Sequence, residues 1–130
     1  MKGSCLCGDV RFHLKGEVHS TSACHCSLCR KWTGHHWASF NVAQDDLIID
    51  HGEASIAWYE EKDRPIERGF CLLCGSSLFW RRMDSDRVAV SLGLLDSTTG
   101  LGLDEHIYTA YKGDYYDIAD DVPQYLEDSQ

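Results

Sequence analysis

Cys24–Gly34 has the sequence CHCSLCRKWTG, and this segment governs the interpretation of the whole chain. Its three cysteines, Cys24, Cys26 and Cys29, fall within six positions. Thiols this close are poorly placed for a set of disulfides and well placed to hold one metal ion. Zn²⁺ takes four tetrahedral ligands, and a site with three protein ligands keeps its fourth position for water or substrate. The segment therefore predicts an open, catalytic zinc site.

The remaining four cysteines form two spaced pairs, Cys5-x-Cys7 and Cys71-x-x-Cys74. Cys74 is followed by a glycine, as expected of a metal-binding knuckle whose backbone amides turn toward sulfur. The two pairs together supply four thiolates, and we predict that they form a closed, structural zinc site. Reactive thiols or a different metal are the alternatives at these positions.

The composition places the chain among globular proteins. Its 130 residues, 43% hydrophobic and 11% aromatic, suffice for one domain spanning residues 1–130. Met1–Cys5 leads directly into a cysteine motif, and no apolar run has the length of a membrane-spanning helix. We therefore expect a cytoplasmic location, where spaced cysteine pairs are more often metal ligands than disulfides. An odd total of seven cysteines also fits a disulfide framework poorly.

The formal net charge is −9, which argues against binding to nucleic acid or to an anionic membrane. An anionic substrate would therefore need a local patch of positive charge. Taken singly, each candidate for that patch is expected to be an ordinary solvated surface charge; the candidates are Arg30, Lys31, Arg64, Arg68, Arg81 and Arg82.

Short segments of alternating polarity separated by turns predict a mainly β fold of antiparallel sheets. One short helix is expected over residues 28–33, with Ser27 as its N-cap and Gly34 after its end. Cys29 would lie in its first turn, where the helix N-terminus favours a thiolate. A hairpin is expected around the Cys71–Cys74 knuckle. The acidic segment Asp114–Gln130 is expected to pack on the domain rather than form a free tail.

Three thiolates donate so much charge that a bound Zn²⁺ would generate hydroxide poorly. Such a centre is better suited to holding a thiol as a nucleophilic thiolate, which favours addition of a thiol to a small electrophile. Two alternatives are free redox-active cysteines and a second closed site completed by His25, His35 or His36. In the enzyme hypothesis, the same histidines are candidates to donate a proton to the developing alkoxide.

Three blocks of the sequence closely resemble one known family: GSCLCGDVRF at residues 3–12, CHCSLCR at 24–30 and RGFCLLCGS at 68–76. HIY at 106–108 and YDIADDVPQ at 116–124 are similar to later blocks of that family. The family is that of the glutathione-dependent formaldehyde-activating enzymes (Gfa) and centromere protein V-like proteins, and the resemblance covers nearly the whole chain.

The resemblance implies an Mss4-like β-tent with one zinc on Cys5, Cys7, Cys71 and Cys74 and a second on Cys24, Cys26 and Cys29. It also implies a carbon–sulfur lyase activity, the condensation of glutathione with formaldehyde to S-(hydroxymethyl)glutathione. Arg30 and Lys31 directly follow Cys29, and we expect them to bind the anionic thiol. The hypothesis from another class is a non-catalytic zinc scaffold that binds a protein partner, as other Mss4-like proteins do.

Overall fold

The computed structural model describes residues 1–128, and these contain ten strands and one α-helix. Four strands precede or directly follow the helix α1 (Ser27–Thr33): β1 (Lys2–Ser4), β2 (Arg11–Leu14), β3 (His19–Cys24) and β4 (Trp37–Ala43). The others are β5 (Leu47–His51), β6 (Ile56–Glu60), β7 (Ile66–Cys71), β8 (Ser77–Arg82), β9 (Arg87–Ser91) and β10 (Glu105–Ile107). The prediction of a mainly β fold with one short helix is confirmed.

The strands form two sheets. The small sheet has the order β1-β2-β5, and the large sheet has the order β10-β3-β4-β9-β8-β7-β6. Pairing is antiparallel except between β10 and β3, which run parallel. The expected hairpin around the cysteine knuckle is present as the antiparallel pair β7–β8.

The consecutive strands β5 and β6 belong to different sheets, so the chain must cross from one layer to the other between them. Gly52 makes this crossing possible. Its φ is 80°, and a Cβ at this position would lie 2.2 Å from the carbonyl oxygen of Asp9. Only glycine combines that backbone conformation with so close an approach.

The hydrophobic core lies between the two sheets. Phe12 of the small sheet meets Phe79 of the large sheet edge to face, with ring centroids 5.9 Å apart. Both rings are fully buried, and so are Phe40 and Leu78. Apolar side chains from both layers therefore share one core, which fixes the positions of the strand ends where the cysteines lie.

Helix α1 begins one residue earlier than expected. Cys26, not Ser27, is the N-cap, and its sulfur accepts a hydrogen bond from the backbone N–H of Cys29 at 3.3 Å. A thiolate can fill this role because it accepts hydrogen bonds, as the usual oxygen caps do. The helix ends as expected at Gly34, whose φ of 92° and N–H bond to the Arg30 carbonyl close the last turn.

The segment after β10 packs along the edge of the large sheet. His106 accepts a backbone hydrogen bond from Tyr125 and donates one to Pro123, and Tyr108 donates to Glu127. The expectation of a packed C-terminal segment holds through these residues, while Ser129 and Gln130 lie outside the described part. Within residues 1–128, no helix is long and apolar enough to cross a bilayer.

Candidate metal centres

Cys5, Cys7, Cys71 and Cys74 form one cluster, in which all four sulfurs lie within 4.8 Å of one another. Cys5 and Cys7 lie in the loop between β1 and β2, whereas Cys71 ends β7 and Cys74 follows it. The cluster therefore connects the small sheet to the large sheet. We call it the closed cluster because these residues alone can supply four ligands.

The spacing of sulfurs in the closed cluster fits a tetrahedral metal. Zn–S bonds of 2.3 Å at tetrahedral angles place sulfurs roughly 3.8 Å apart. The Cys5 and Cys7 sulfurs are 3.6 Å apart, and those of Cys7 and Cys71 are 3.9 Å apart. Hydrogen bonds from the side chain and backbone of Ser76 lower the pKa of Cys74 to about 5, which favours the thiolate that a metal requires.

Cys24, Cys26 and Cys29 form a second cluster, again with sulfurs within 4.8 Å of one another. Cys24 ends β3, Cys26 caps α1, and Cys29 lies in the first turn of that helix. Among residues 1–128, no histidine or carboxylate joins these three sulfurs as a fourth ligand. We call this the open cluster.

The three thiols of the open cluster differ in acidity: the pKa of Cys26 is lowered, whereas the hydrogen bond to Cys26 raises the pKa of Cys24. Hydrogen bonds from the thiols of Cys24 and Cys29, together with the backbone N–H of Cys29, lower the pKa of Cys26. The backbone N–H in the first turn of α1 therefore stabilises a thiolate at Cys26. The sequence analysis expected this stabilisation at Cys29. A buried cation, Arg68, places Nη1 3.9 Å from the Cys29 sulfur.

Three tryptophans belong to the same hydrophobic cluster as the cysteines of the open cluster. They are Trp32, Trp37 and Trp80, and the rings of Trp32 and Trp37 have centroids 5.0 Å apart. Trp37 lies opposite Cys24 in the β3–β4 register, so both side chains share one face of the sheet. The aromatic rings limit the water around the sulfurs, which strengthens electrostatic interactions there.

His25 lies between two cysteines of the open cluster, but its side chain points to other partners. It is 1% exposed, its Nε2 lies 2.9 Å from His106 Nδ1, and its Nδ1 is hydrogen-bonded to the Tyr116 hydroxyl. Burial, reinforced by His36 and His106, lowers the pKa of His25 to about 4. His25 is therefore neutral at neutral pH, and its ring nitrogens serve these two hydrogen bonds.

The carboxylate of Asp120 fixes the direction of this hydrogen-bond chain. Its oxygens lie 3.0 and 3.1 Å from His106 Nε2, and they accept the proton of that nitrogen. With the proton of His106 on Nε2 alone, its Nδ1 is an acceptor, so His25 donates through Nε2 and Tyr116 donates to His25 Nδ1. We call these four residues the histidine chain.

The other two predicted histidines, His35 and His36, lie beside the histidine chain. His35 Nδ1 is 3.0 Å from the Tyr115 hydroxyl, and the rings of His35 and His36 have centroids 4.4 Å apart. Nδ1 of His36 and Nε of Arg30 are buried without a hydrogen-bond partner among the described residues. Lys31 is exposed on α1. These side chains adjoin the cysteine segment in sequence, and within residues 1–128 neither histidine joins its three sulfurs as a ligand.

Two features of the site escaped the sequence analysis. Arg68 was expected to be a solvated surface charge, but it is 5% exposed and adjoins a cysteine of the open cluster. Tyr116 and Asp120 lie in the segment 116–124, which is similar to a later block of the family. The sequence around them did not indicate that their side chains form hydrogen bonds with histidines. The available signal for Arg68 was its place three residues before the buried strand end at Cys71, within the apolar block that carries the knuckle.

Comparisons with known proteins agree with this geometry. Residues 1–111 match the profile of the family described as "Glutathione-dependent formaldehyde-activating enzyme". A Halomonas elongata protein named "Putative glutathione-dependent formaldehyde-activating enzyme" is 34% identical over 85 residues, which cover 61% of this chain and 54% of that protein. The chain thus spans about half the length of this curated relative.

A solved structure supports the fold. The crystal structure of a Rhodobacter sphaeroides protein superposes with a TM-score of 0.65 and 25% sequence identity, covering 77% of this chain and 92% of that one. The family profile covers most of the chain, including all seven cysteines of the two clusters. The chain therefore belongs to the glutathione-dependent formaldehyde-activating enzyme family.

Proposed function

We propose that the protein is a zinc-dependent enzyme of the carbon–sulfur lyase class that joins a small thiol, such as glutathione, to a small aldehyde, such as formaldehyde. It would use two zinc ions, a structural one in the closed cluster and a catalytic one in the open cluster. The observation that carries the proposal is the convergence of three sulfurs without a fourth ligand among the described residues.

The family and the Halomonas elongata relative support the choice of thiol and aldehyde, since both descriptions name glutathione and formaldehyde. We treat residues 1–130 as one domain of this kind that acts in the reducing cytoplasm. The negative charge of the chain, −9, makes a nucleic acid or an anionic membrane a poor partner.

The reaction requires a thiolate and a proton donor. A zinc ion bound by three thiolates supplies a charge centre that favours a thiol in its ionised form. The thiol S–H bond breaks, a C–S bond forms at the carbonyl carbon, and the carbonyl oxygen takes up a proton. His35 and His36 are our candidate donors. His25 is the third candidate, although both its ring nitrogens are engaged.

Arg30 and Lys31 would hold the carboxylates of the thiol substrate. Both follow Cys29 on α1, and Lys31 is exposed to solvent. Because the chain as a whole repels anions, a local pair of positive charges would raise the rate of encounter with an anionic thiol.

The test combines metal analysis with a survey of substrates. We expect two zinc ions per chain and saturable turnover with one thiol–aldehyde pair, which Cys26→Ser abolishes. X-ray absorption should show three sulfurs and one lighter atom at the open cluster, becoming four sulfurs when the thiol is added. A nitrogen that persists as fourth ligand in the presence of thiol would contradict the proposal.

The second candidate is a non-catalytic zinc scaffold, and one observation favours it. Leu6, Leu72 and Leu73 lie between the cysteines of the closed cluster and are 86%, 65% and 66% exposed. Exposed apolar side chains gathered on a metal knuckle are suited to a protein partner. Two tightly bound metals, no turnover with any thiol–aldehyde pair and no thiol ligation would select this function.

A further inference from the structure

Arg68 is a buried cation at the open cluster. It lies in β7 and is 5% exposed, with its guanidinium carbon 5.0 Å from the centroid of the Trp32 ring. Its Nε donates to Glu61 Oε2 at 3.2 Å, and its Nη1 lies 3.9 Å from the Cys29 sulfur. Burying a charge in this way is costly unless other charges compensate it.

Glu61 compensates only part of this charge, because it also binds a second arginine. Arg64 donates to Glu61 Oε1 through Nε at 2.9 Å and through Nη2 at 2.8 Å. One carboxylate thus serves two guanidinium groups, which leaves one positive charge in excess. Arg64 is exposed and solvated, whereas Arg68 is enclosed and faces the thiol cluster. The excess charge therefore acts mainly at the open cluster.

A divalent metal with three thiolates has a net charge of −1. An anionic fourth ligand would make the net charge −2. A neutral fourth ligand adds no charge. A buried cation next to one of the sulfurs lowers the free energy of the anionic state more than that of the neutral one, since interactions are strong where water is scarce.

We propose that Arg68 determines the ligand specificity of the open centre by favouring an anionic thiolate over a neutral ligand at the fourth position. This inference rests on the proposed function and deepens it. Arg68 acts through the charge of the centre and through Cys29, so it is a positioning and specificity residue rather than a catalytic one. Groups surrounding metal ligands typically change affinity roughly 10- to 100-fold when they are replaced.

The experiment uses the full chain loaded with Co²⁺ and follows the visible absorption of the open centre. One titration adds 2-mercaptoethanol, which binds as a thiolate, and a second adds imidazole, which binds as a neutral ligand. Arg68→Met removes the charge and keeps much of the volume, whereas Arg68→Lys keeps the charge. Glu61→Gln removes the compensating carboxylate, so it increases the positive charge beside the open cluster, whereas Arg68→Met reduces it.

We expect Arg68→Met to weaken the binding of 2-mercaptoethanol about tenfold or more, with imidazole binding changed less than about twofold. Arg68→Lys should retain most of the preference for the thiol, and Glu61→Gln should increase it. Glu61→Gln is expected to increase the preference for the thiol over imidazole. This increase tests the inference even if Arg68→Met does not fold.

Equal losses for both ligands in Arg68→Met would show a purely structural role and overturn the inference, as would an unchanged ratio in Glu61→Gln. Native protein that binds imidazole but shows no response to 2-mercaptoethanol would overturn the proposed function itself. The two failures are therefore distinguishable.

Discussion

The closed and open clusters contain the same ligand atoms but are built in different ways. The closed cluster joins two sheets, with ligand pairs 64 residues apart, as the contact between Cys7 and Cys71 shows. The open cluster uses a strand end and one helical turn within six residues. A metal in the closed cluster thus holds distant elements together, whereas one in the open cluster binds a loop that the chain has already shaped.

The open loop keeps its shape through contacts that need no metal. The sulfur of Cys26 caps α1, and His25 connects the loop to the histidine chain on the C-terminal segment. At the closed cluster, Val10 donates its backbone N–H to the Cys5 sulfur at 3.3 Å and the Ser76 hydroxyl lies 3.2 Å from the Cys74 sulfur, while Cys7 is exposed. The comparison teaches that similar sets of thiols are brought together by tertiary structure at one cluster and mainly by local structure at the other.

The largest effect is expected from breaking the closed cluster. Cys7→Ser should unfold the protein, because structural zinc contributes about 10 kcal/mol in small peptides and a domain has only about 5–15 kcal/mol in total. Replacing an exposed side chain outside any such site normally changes stability by less than about 0.5 kcal/mol. Circular dichroism and zinc content of the soluble protein measure the outcome.

Leu6→Ser is the matched control, since Leu6 is exposed and directly precedes Cys7. It should fold and bind two metals. A folded Cys7→Ser variant with full metal content would show that Cys7 is not a ligand.

The next effect concerns the open cluster, where Cys26→Ser should lose one metal and all turnover yet remain folded. Serine is a poor zinc ligand but a good N-cap, so the helix keeps its first hydrogen bond. Cys26→Ala should lose the same metal and about 1 kcal/mol more of the free energy of unfolding, because alanine cannot cap. Metal analysis and chemical denaturation of both variants separate ligation from capping. Global unfolding of Cys26→Ser would contradict the prediction that only the closed cluster is needed for folding.

The grouping of the cysteines into two clusters was accessible from the sequence, because three of them lie within six residues and the C-x-C and C-x-x-C pairs remain for the other cluster. The β7–β8 hairpin was accessible because the C-x-x-C-G knuckle reverses the chain locally. The parallel pairing of β10 with β3 was not, because it depends on a return of the chain from 83 residues away. The sequence also did not predict that β5 and β6 lie in different sheets, because two strands around a glycine fit a hairpin equally well.

The burial of Arg68 could not be predicted for a related reason. A lone arginine in a strand is usually solvated. The partner of Arg68 is Glu61, which lies seven residues earlier in the loop between β6 and β7. The histidine chain joins His25 to Tyr116, 91 positions later, so only the tertiary structure reveals it. The N-cap was misplaced by one residue because serine is the commoner cap and the thiol of Cys26 was assigned to metal alone.

A smaller effect is expected from the histidine chain. Asp120→Ala should lower the free energy of unfolding, because the buried His106 Nε2–H loses its carboxylate acceptor. Asp121→Ala removes an exposed neighbouring carboxylate and should change stability by less than about 0.5 kcal/mol. Chemical denaturation gives both values.

Nuclear magnetic resonance of the imidazole nitrogens tests the direction of this chain. In the native protein, His106 and His25 should both carry their proton on Nε2, and Asp120→Ala should produce a mixture of tautomers. Protons on Nδ1 of both rings in the native protein would reverse the chain and remove Asp120 as its determinant.

The smallest effect is expected from Arg30 and Lys31, the two charges that follow Cys29. Changing both to Ser should raise KM for an anionic thiol roughly two- to fivefold, the size expected of charges that water partly screens. The dependence of KM on salt should flatten, because salt would have fewer charges to screen. As a control, Lys15→Ser with Lys62→Ser removes two exposed charges elsewhere and should leave KM unchanged. Equal effects in both double variants would indicate general electrostatic steering by net charge, and an effect confined to the first would place the substrate carboxylates beside α1.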